Sequence, residues 1–263
     1  MFGWLRELRA PPRIPDEAWQ ATLARYRFLG DLAPAAQQRL RQLAARFLRD
    51  KQFHGAHGFT ITDEVALAIA AQAVLPILNL KGGLDWYDDF VGIVVHGSEV
   101  VAHRVATDAT GVVHEYDEVV AGEAMDRGPV MLSWQDVVAS GETSDSGYNV
   151  VIHEFAHKID MRAGAADGCP PLPPGFRGST SEREARAAWL AVLQPAYEAL
   201  REKVTIAERF GGEPPWLDDY GAQSPGEFFA VACEAFFVNR PALEAEFAEL
   251  ASLFDEFFNP ATP

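Results

Sequence analysis

The stretch "VVIHEFAHKIDM", Val150–Met161, limits what this chain can fold into more than any other. His153 and His157 are four residues apart, so on a helix they project from one face. The apolar residues before and between them, Val150 to Ile152, Phe155 and Ala156, mark that helix as buried. A buried helix carrying two histidines and a glutamate needs partners for all three polar side chains. The fold must therefore bring other chemistry-bearing residues to this helix.

The spacing suits two corners of one tetrahedral zinc ion. Glu154 is next to the pair but rotated away, placed to act on a water rather than on the metal. A carboxylate there can take the proton of a water that attacks a carbonyl. The alternative is a helix with two surface histidines and a solvated glutamate, which the apolar flanks disfavour.

A third ligand is required, with the fourth position open. A metzincin would place glycine at position 160 and histidine at position 163. Asp160 and Ala163 stand there, which excludes that class. Thermolysin-like sites take a glutamate from a later helix, and Glu182, Glu184 and Glu227 are candidates. Ser181 and Glu184 form S-x-x-E, a capping box that explains Glu184 without a metal. Ser224 and Glu227 form another, but the helix they open is apolar nearly all round, "SPGEFFAVACEAFFVN". Glu227 and Glu234, two turns apart on that buried helix, need something cationic or hydrogen-bonding to meet them. Glu227 is the favoured ligand, with Glu234 accepting a hydrogen bond from a ligand histidine. Asp160 lies on the histidine face and either holds a ligand in place or solvates the helix end.

Helices are expected over Asp16 to Leu32, Pro34 to Lys51, Ser181 to Phe210 (loosened near Pro195), Ser224 onward and Pro241 to Phe258. "VALAIAAQAVLPILNL" reads as a buried helix capped by Thr62. It is too short for a membrane span and carries Gln72 and Pro76. Strands are expected over Phe90 to Gly97, on both sides of a turn at Thr110 and Gly111, and over Gly128 to Trp134. "FHGAHGF" reads as a break, and Gln135 to Gly147 as a loop. Helices around a small group of strands indicate an α+β fold. Of the strands, Val130 to Trp134 is the last strand-like run before the zinc helix and is the expected seat of an extended peptide.

Composition narrows the function. A formal net charge of −16 gives no basic footprint for direct nucleic-acid binding and repels anionic membranes. A peptide, protein or small molecule is the expected partner. Two cysteines, Cys169 and Cys233, form no disulfide framework or C-x-x-C pair, and "MFGWLRELRAPPRIPDEAW" lacks a signal-peptide run. The expected location is the cytoplasm. His54, His57, His96, His103 and His114 show no ligand spacing and receive no role.

The chain resembles the Mlc titration factor A family of bacterial zinc peptidases, itself related to the catalytic domain of anthrax lethal factor. "FTITDEVALAIAAQAVLPILNL", "GPVMLSW", "NVVIHEFAHKIDM" and "YGAQSPGEFFAVACEAFF" carry the resemblance, which runs roughly from Phe53 to Phe237. It implies one zincin-like domain over 1–263. N-terminal helices fill 1–52, the sheet and active-site helix 53–162, and a helical lobe 163–263. It implies a single zinc held by His153, His157 and Glu227, with Glu154 catalytic. Tyr220 matches the family's active-site tyrosine, seven residues before the glutamate ligand. It further implies aminopeptidase-like hydrolysis and binding of the glucose repressor Mlc. The alternative is a non-catalytic regulator that sequesters the repressor and holds a structural zinc.

Overall fold

A computed structural model describes residues 13–98, 100–107, 113–120, 122–142 and 146–260. The architecture is α+β. Helices α1 (Asp16–Arg25), α2 (Arg27–Gly30) and α3 (Pro34–Asp50) lead into strand β1 (Gln52–Gly55) and helix α4 (Asp63–Ala73). Strands β2 (Gly92–His96), β3 (Val100–Thr107), β4 (Val113–Val120), β5 (Gly122–Ala124) and β6 (Val130–Ser133) follow. Then come α5 (Trp134–Ala139), α6 (Val150–Asp160), α7 (Glu182–Phe210), α8 (Pro225–Val238), α9 (Arg240–Glu246) and α10 (Ala248–Phe258).

The main sheet is mixed, in the order β1-β2-β6-β5. The first three strands are parallel and β5 is antiparallel to β6. Strands β3 and β4 form a separate antiparallel pair; the turn expected at Thr110 and Gly111 lies outside the described residues. Helix α6 packs against β5 and β6 and also against α4 and α8. It is thereby enclosed, and ten of its eleven residues are buried. Helices α4 and α8 are apolar enough to share that core: all nine residues from Val65 to Ala73 are buried, as are Phe228 to Phe236. Among the described residues no helix is long and apolar enough to cross a membrane.

Several expectations need correction. The first helix is broken at Tyr26, whose ψ of 88° is not helical. Residues 52–55 form an edge strand paired with β2, not a break. Gly55 ends it where a side chain would collide with the Phe59 carbonyl oxygen, so the chain can turn back tightly. The expected loop after Trp134 begins as α5, because Ser133 Oγ accepts a hydrogen bond from Asp136 N at 3.4 Å. Pro195 lies inside a continuous α7. The last helix is divided at Phe247 into α9 and α10. Finally, β6 is paired on both sides, so Val130 to Trp134 has no free edge for a peptide. The sheet edge beside α6 is β5.

Candidate metal centre

Asn149 starts α6: its Oδ1 accepts from Ile152 N at 2.9 Å. One turn in, His153 and His157 bring their Nε2 atoms to 3.2 Å. Ser224 caps α8 by accepting from Glu227 N at 3.2 Å. The Glu227 carboxylate is directed to the histidines, with Oε2 3.1 Å from each Nε2. Three donor atoms from two helices thus converge on one point. Among the described residues, His153, His157 and Glu227 are the only group of three or more such side chains placed to share a metal ion.

The second S-x-x-E pair behaves differently. Glu184 Oε2 accepts from the Thr180 backbone N–H and hydroxyl, both at 2.7 Å, and the residue is exposed. Capping accounts for Glu184, whereas Glu227 completes only half a capping box and sends its carboxylate elsewhere.

Glu234 is buried two turns along α8. Its Oε1 is 2.7 Å from His153 Nδ1, and its Oε2 accepts from the Asn149 backbone N–H. A carboxylate at Nδ1 keeps a proton there and leaves Nε2 as the nitrogen that faces the cluster. Burial would raise the Glu227 pKa, but hydrogen bonds from His153 and His157 outweigh it and hold the carboxyl well below its ordinary range. For His153, burial is outweighed by its bonds to Glu227 and Glu234, and the ring is pushed well above the usual histidine value. Both shifts say that the centre of this cluster favours positive charge.

Glu154 stands outside the triangle. It is buried against β5: a Cβ at Gly122 would fall 2.5 Å from its Oε1. Burial pushes its pKa up to about 7, against the opposing charges of His153 and His157. That range suits a group which must take up and release a proton near neutrality.

Tyr220 lies in a short 3-10 turn, Asp219–Ala222, started by Asp218 Oδ1, which accepts from Tyr220 N at 2.9 Å. Its ring centroid is 5.9 Å from that of His153. Asp160 is fully buried, so it does not solvate the helix end. Its Oδ2 accepts from Gly168 N at 2.7 Å, tying the following loop to α6, while burial raises its pKa to about 7. Its Oδ1 and His157 Nδ1 are buried without hydrogen-bond partners. Of the other histidines, His57 and His96 meet with ring centroids 5.5 Å apart, but no third donor joins them among the described residues.

Three contributors escaped the sequence reading. Gly122 and the short strand β5 sit directly on Glu154. Lys158 is buried. Its Nζ donates to Gly128 O at 2.9 Å and to Met125 O, so it fastens the β5–β6 turn to α6. Asn149 caps α6 and also holds Glu234. Of these only Asn149 had a visible signal, an Asx residue directly before an apolar helical run.

A model of the glucose-regulated metallo-peptidase M90 family matches residues 3–259. The chain belongs to this family. Mlc titration factor A of Edwardsiella ictaluri (strain 93-146) is 36% identical over 259 residues, covering 98% of this chain and 93% of that protein. An uncharacterised protein of Synechocystis sp. is 34% identical over 259 residues, with 97% and 89% coverage. Mlc titration factor A of Serratia proteamaculans (strain 568) is 33% identical over 259 residues, with 98% and 92% coverage. Membership of a metallo-peptidase family agrees with a His-His-Glu donor set beside a buried carboxylate.

Proposed function

We propose that this chain is a zinc-dependent peptidase in which His153, His157 and Glu227 hold the metal and Glu154 is the general base. The donor triangle carries this reading. Its edges of 3.1–3.2 Å compare with about 3.3 Å between ligands of a tetrahedral zinc with bonds near 2.0–2.1 Å. The donor set, two imidazoles and one carboxylate, is that of catalytic zinc sites that keep a fourth position open. A bound zinc supplies Lewis acidity and makes water acidic enough to attack at neutral pH.

The chain's own residues do the rest. Glu154 receives the proton of the attacking water on its carboxylate and passes it to the leaving amine. The Tyr220 hydroxyl donates to the oxygen that becomes negative as the carbonyl carbon turns tetrahedral. Glu234 keeps the His153 ring in one tautomer, and Asp160 fixes the end of α6. Strand β5, at the margin of the sheet beside α6, is the strand along which an extended peptide would lie, with main-chain contacts giving broad sequence tolerance.

The activity we assign is aminopeptidase-like and cytoplasmic. Two relatives named Mlc titration factor A support a second property, binding of the Mlc repressor. A purely regulatory protein with a structural zinc is the competing reading. Metal analysis and peptide hydrolysis on the wild type and Glu154→Gln separate the two. The variant should keep its zinc and lose at least ~10²-fold in turnover. Unchanged turnover would leave only the regulatory reading.

A further inference from the structure

Helix α4 is apolar at every buried position except Gln72, which is completely enclosed. A buried amide is costly unless its donors and acceptor are used. Gln72 Nε2 donates to Ala68 O at 3.1 Å, and its Oε1 accepts from Asn149 Nδ2 at 2.8 Å. Asn149 Oδ1 accepts from Ile152 N at the start of α6, and the Asn149 backbone N–H donates to Glu234 Oε2. Glu234 Oε1 meets His153 Nδ1 at 2.7 Å. An unbroken line of buried bonds thus runs from α4 to the metal-facing ring.

The direction of each bond follows from the ends. Ile152 N–H is a donor, so Asn149 must turn its oxygen towards α6. Its amide nitrogen then faces position 72 and requires an acceptor there. Gln72 supplies that oxygen, which leaves its nitrogen for the Ala68 carbonyl. Leucine would fill the same volume in an otherwise apolar helix, so packing alone gives no reason for an amide.

We infer that Gln72 is a positioning residue for the metal centre. It locks Asn149, and through it the Asn149–Glu234–His153 geometry that aims the ring at the metal. The inference rests on the proposed ligand role of His153. The Tyr26 hydroxyl donates to Val137 O at 3.1 Å. Tyr26 lies at the break between α1 and α2, and Val137 belongs to α5.

The test measures zinc affinity by competition with a chromophoric chelator. It compares the wild type, Gln72→Leu, Asn149→Ser and the double variant, with apo-protein melting alongside as the folding control. Serine keeps an oxygen for the cap and removes the amide nitrogen. Each single change should weaken zinc binding about tenfold, the low end of the range for groups that orient ligand histidines. The double variant should bind no more weakly than either single one, because both cut one link. Gln72→Glu, a neutral acid in this burial that can still accept and donate, should restore near wild-type affinity. Ring ¹⁵N shifts of His153 in the apo-protein should show a smaller share of the Nδ1–H tautomer in Gln72→Leu. Wild-type affinity in both single variants, additive losses in the double variant, or a Gln72→Glu protein as weak as Gln72→Leu would overturn the relay while leaving the metal site standing. A wild-type protein that takes up no zinc would overturn both.

Discussion

Adding one methyl group at Gly122 should damage catalysis far more than it damages the fold. A Cβ there would lie 2.5 Å from Glu154 Oε1, 2.7 Å from its Cγ and 2.8 Å from its Cδ. Ordinary van der Waals contact begins near 3.4 Å, so the carboxylate must retreat by about 0.6–0.9 Å. The clash falls on a side chain rather than on backbone, and Gly122 needs no left-handed φ. The stability change should stay near ~1 kcal/mol, or about 2–4 °C in melting temperature for a chain of this size. The reaction is less forgiving, since a displacement of about 1 Å of a catalytic group can reduce turnover by ~10². Gly122→Ala should therefore keep its metal, melt near the wild type and lose roughly 10- to 100-fold in kcat on a chromogenic peptide. In the Glu154→Gln background the same methyl should add no further loss, because the displaced base is already absent. Wild-type kcat in Gly122→Ala, or an undiminished second loss in the double variant, would refute the idea that β5 sets the position of Glu154.

Glu227→Ala should lose most of the bound zinc by metal analysis, while Glu184→Ala should retain it and loosen only the start of α7. Tyr220→Phe should lower kcat by roughly ten- to a thousandfold, with KM and zinc content little changed. Wild-type kcat there would assign the phenol to packing. Lys158→Met should leave the Met125 and Gly128 carbonyls without their buried donor and destabilise the protein by about 1–3 kcal/mol in urea unfolding. An unchanged midpoint would show that the β5–β6 turn does not depend on the ammonium.

Features that depend on a few adjacent residues are legible in the sequence alone. Thr62, Ser181 and Ser224 each cap a helix where an oxygen-bearing side chain precedes a periodic run. The shared face of His153 and His157 follows from their spacing alone. Features that depend on a distant partner were not legible. Residues 52–55 are a strand only because β2 lies alongside them. Ser133 both ends β6 and caps α5, so a continuous strand-like reading through Trp134 hid the helix. The apolar pattern of the last helix runs on through Phe247 although the backbone breaks there. Val130 to Trp134 reads as an available edge for the same reason: strand order is a property of the sheet, and no local pattern shows that β6 is paired on both sides.

The two S-x-x-E pairs show how burial decides between identical local signals. Both serines cap their helices in the same way. Helix α7 starts at the surface, where a neighbouring threonine donates twice to its exposed glutamate. Helix α8 starts against α6 and is apolar behind Glu227, so that carboxylate is directed to two imidazoles instead. Glu234 then meets the far side of one imidazole, and Glu154 is held apart from the triangle against β5. A metal needed only to staple α6 to α8 would be served by the triangle and Glu234. It would give no reason to enclose a further carboxylate against the marginal strand β5, where burial raises its pKa to about 7. That placement is costly for stability and useful for proton transfer, and it is the strongest structural argument that hydrolysis, rather than scaffolding, explains this centre.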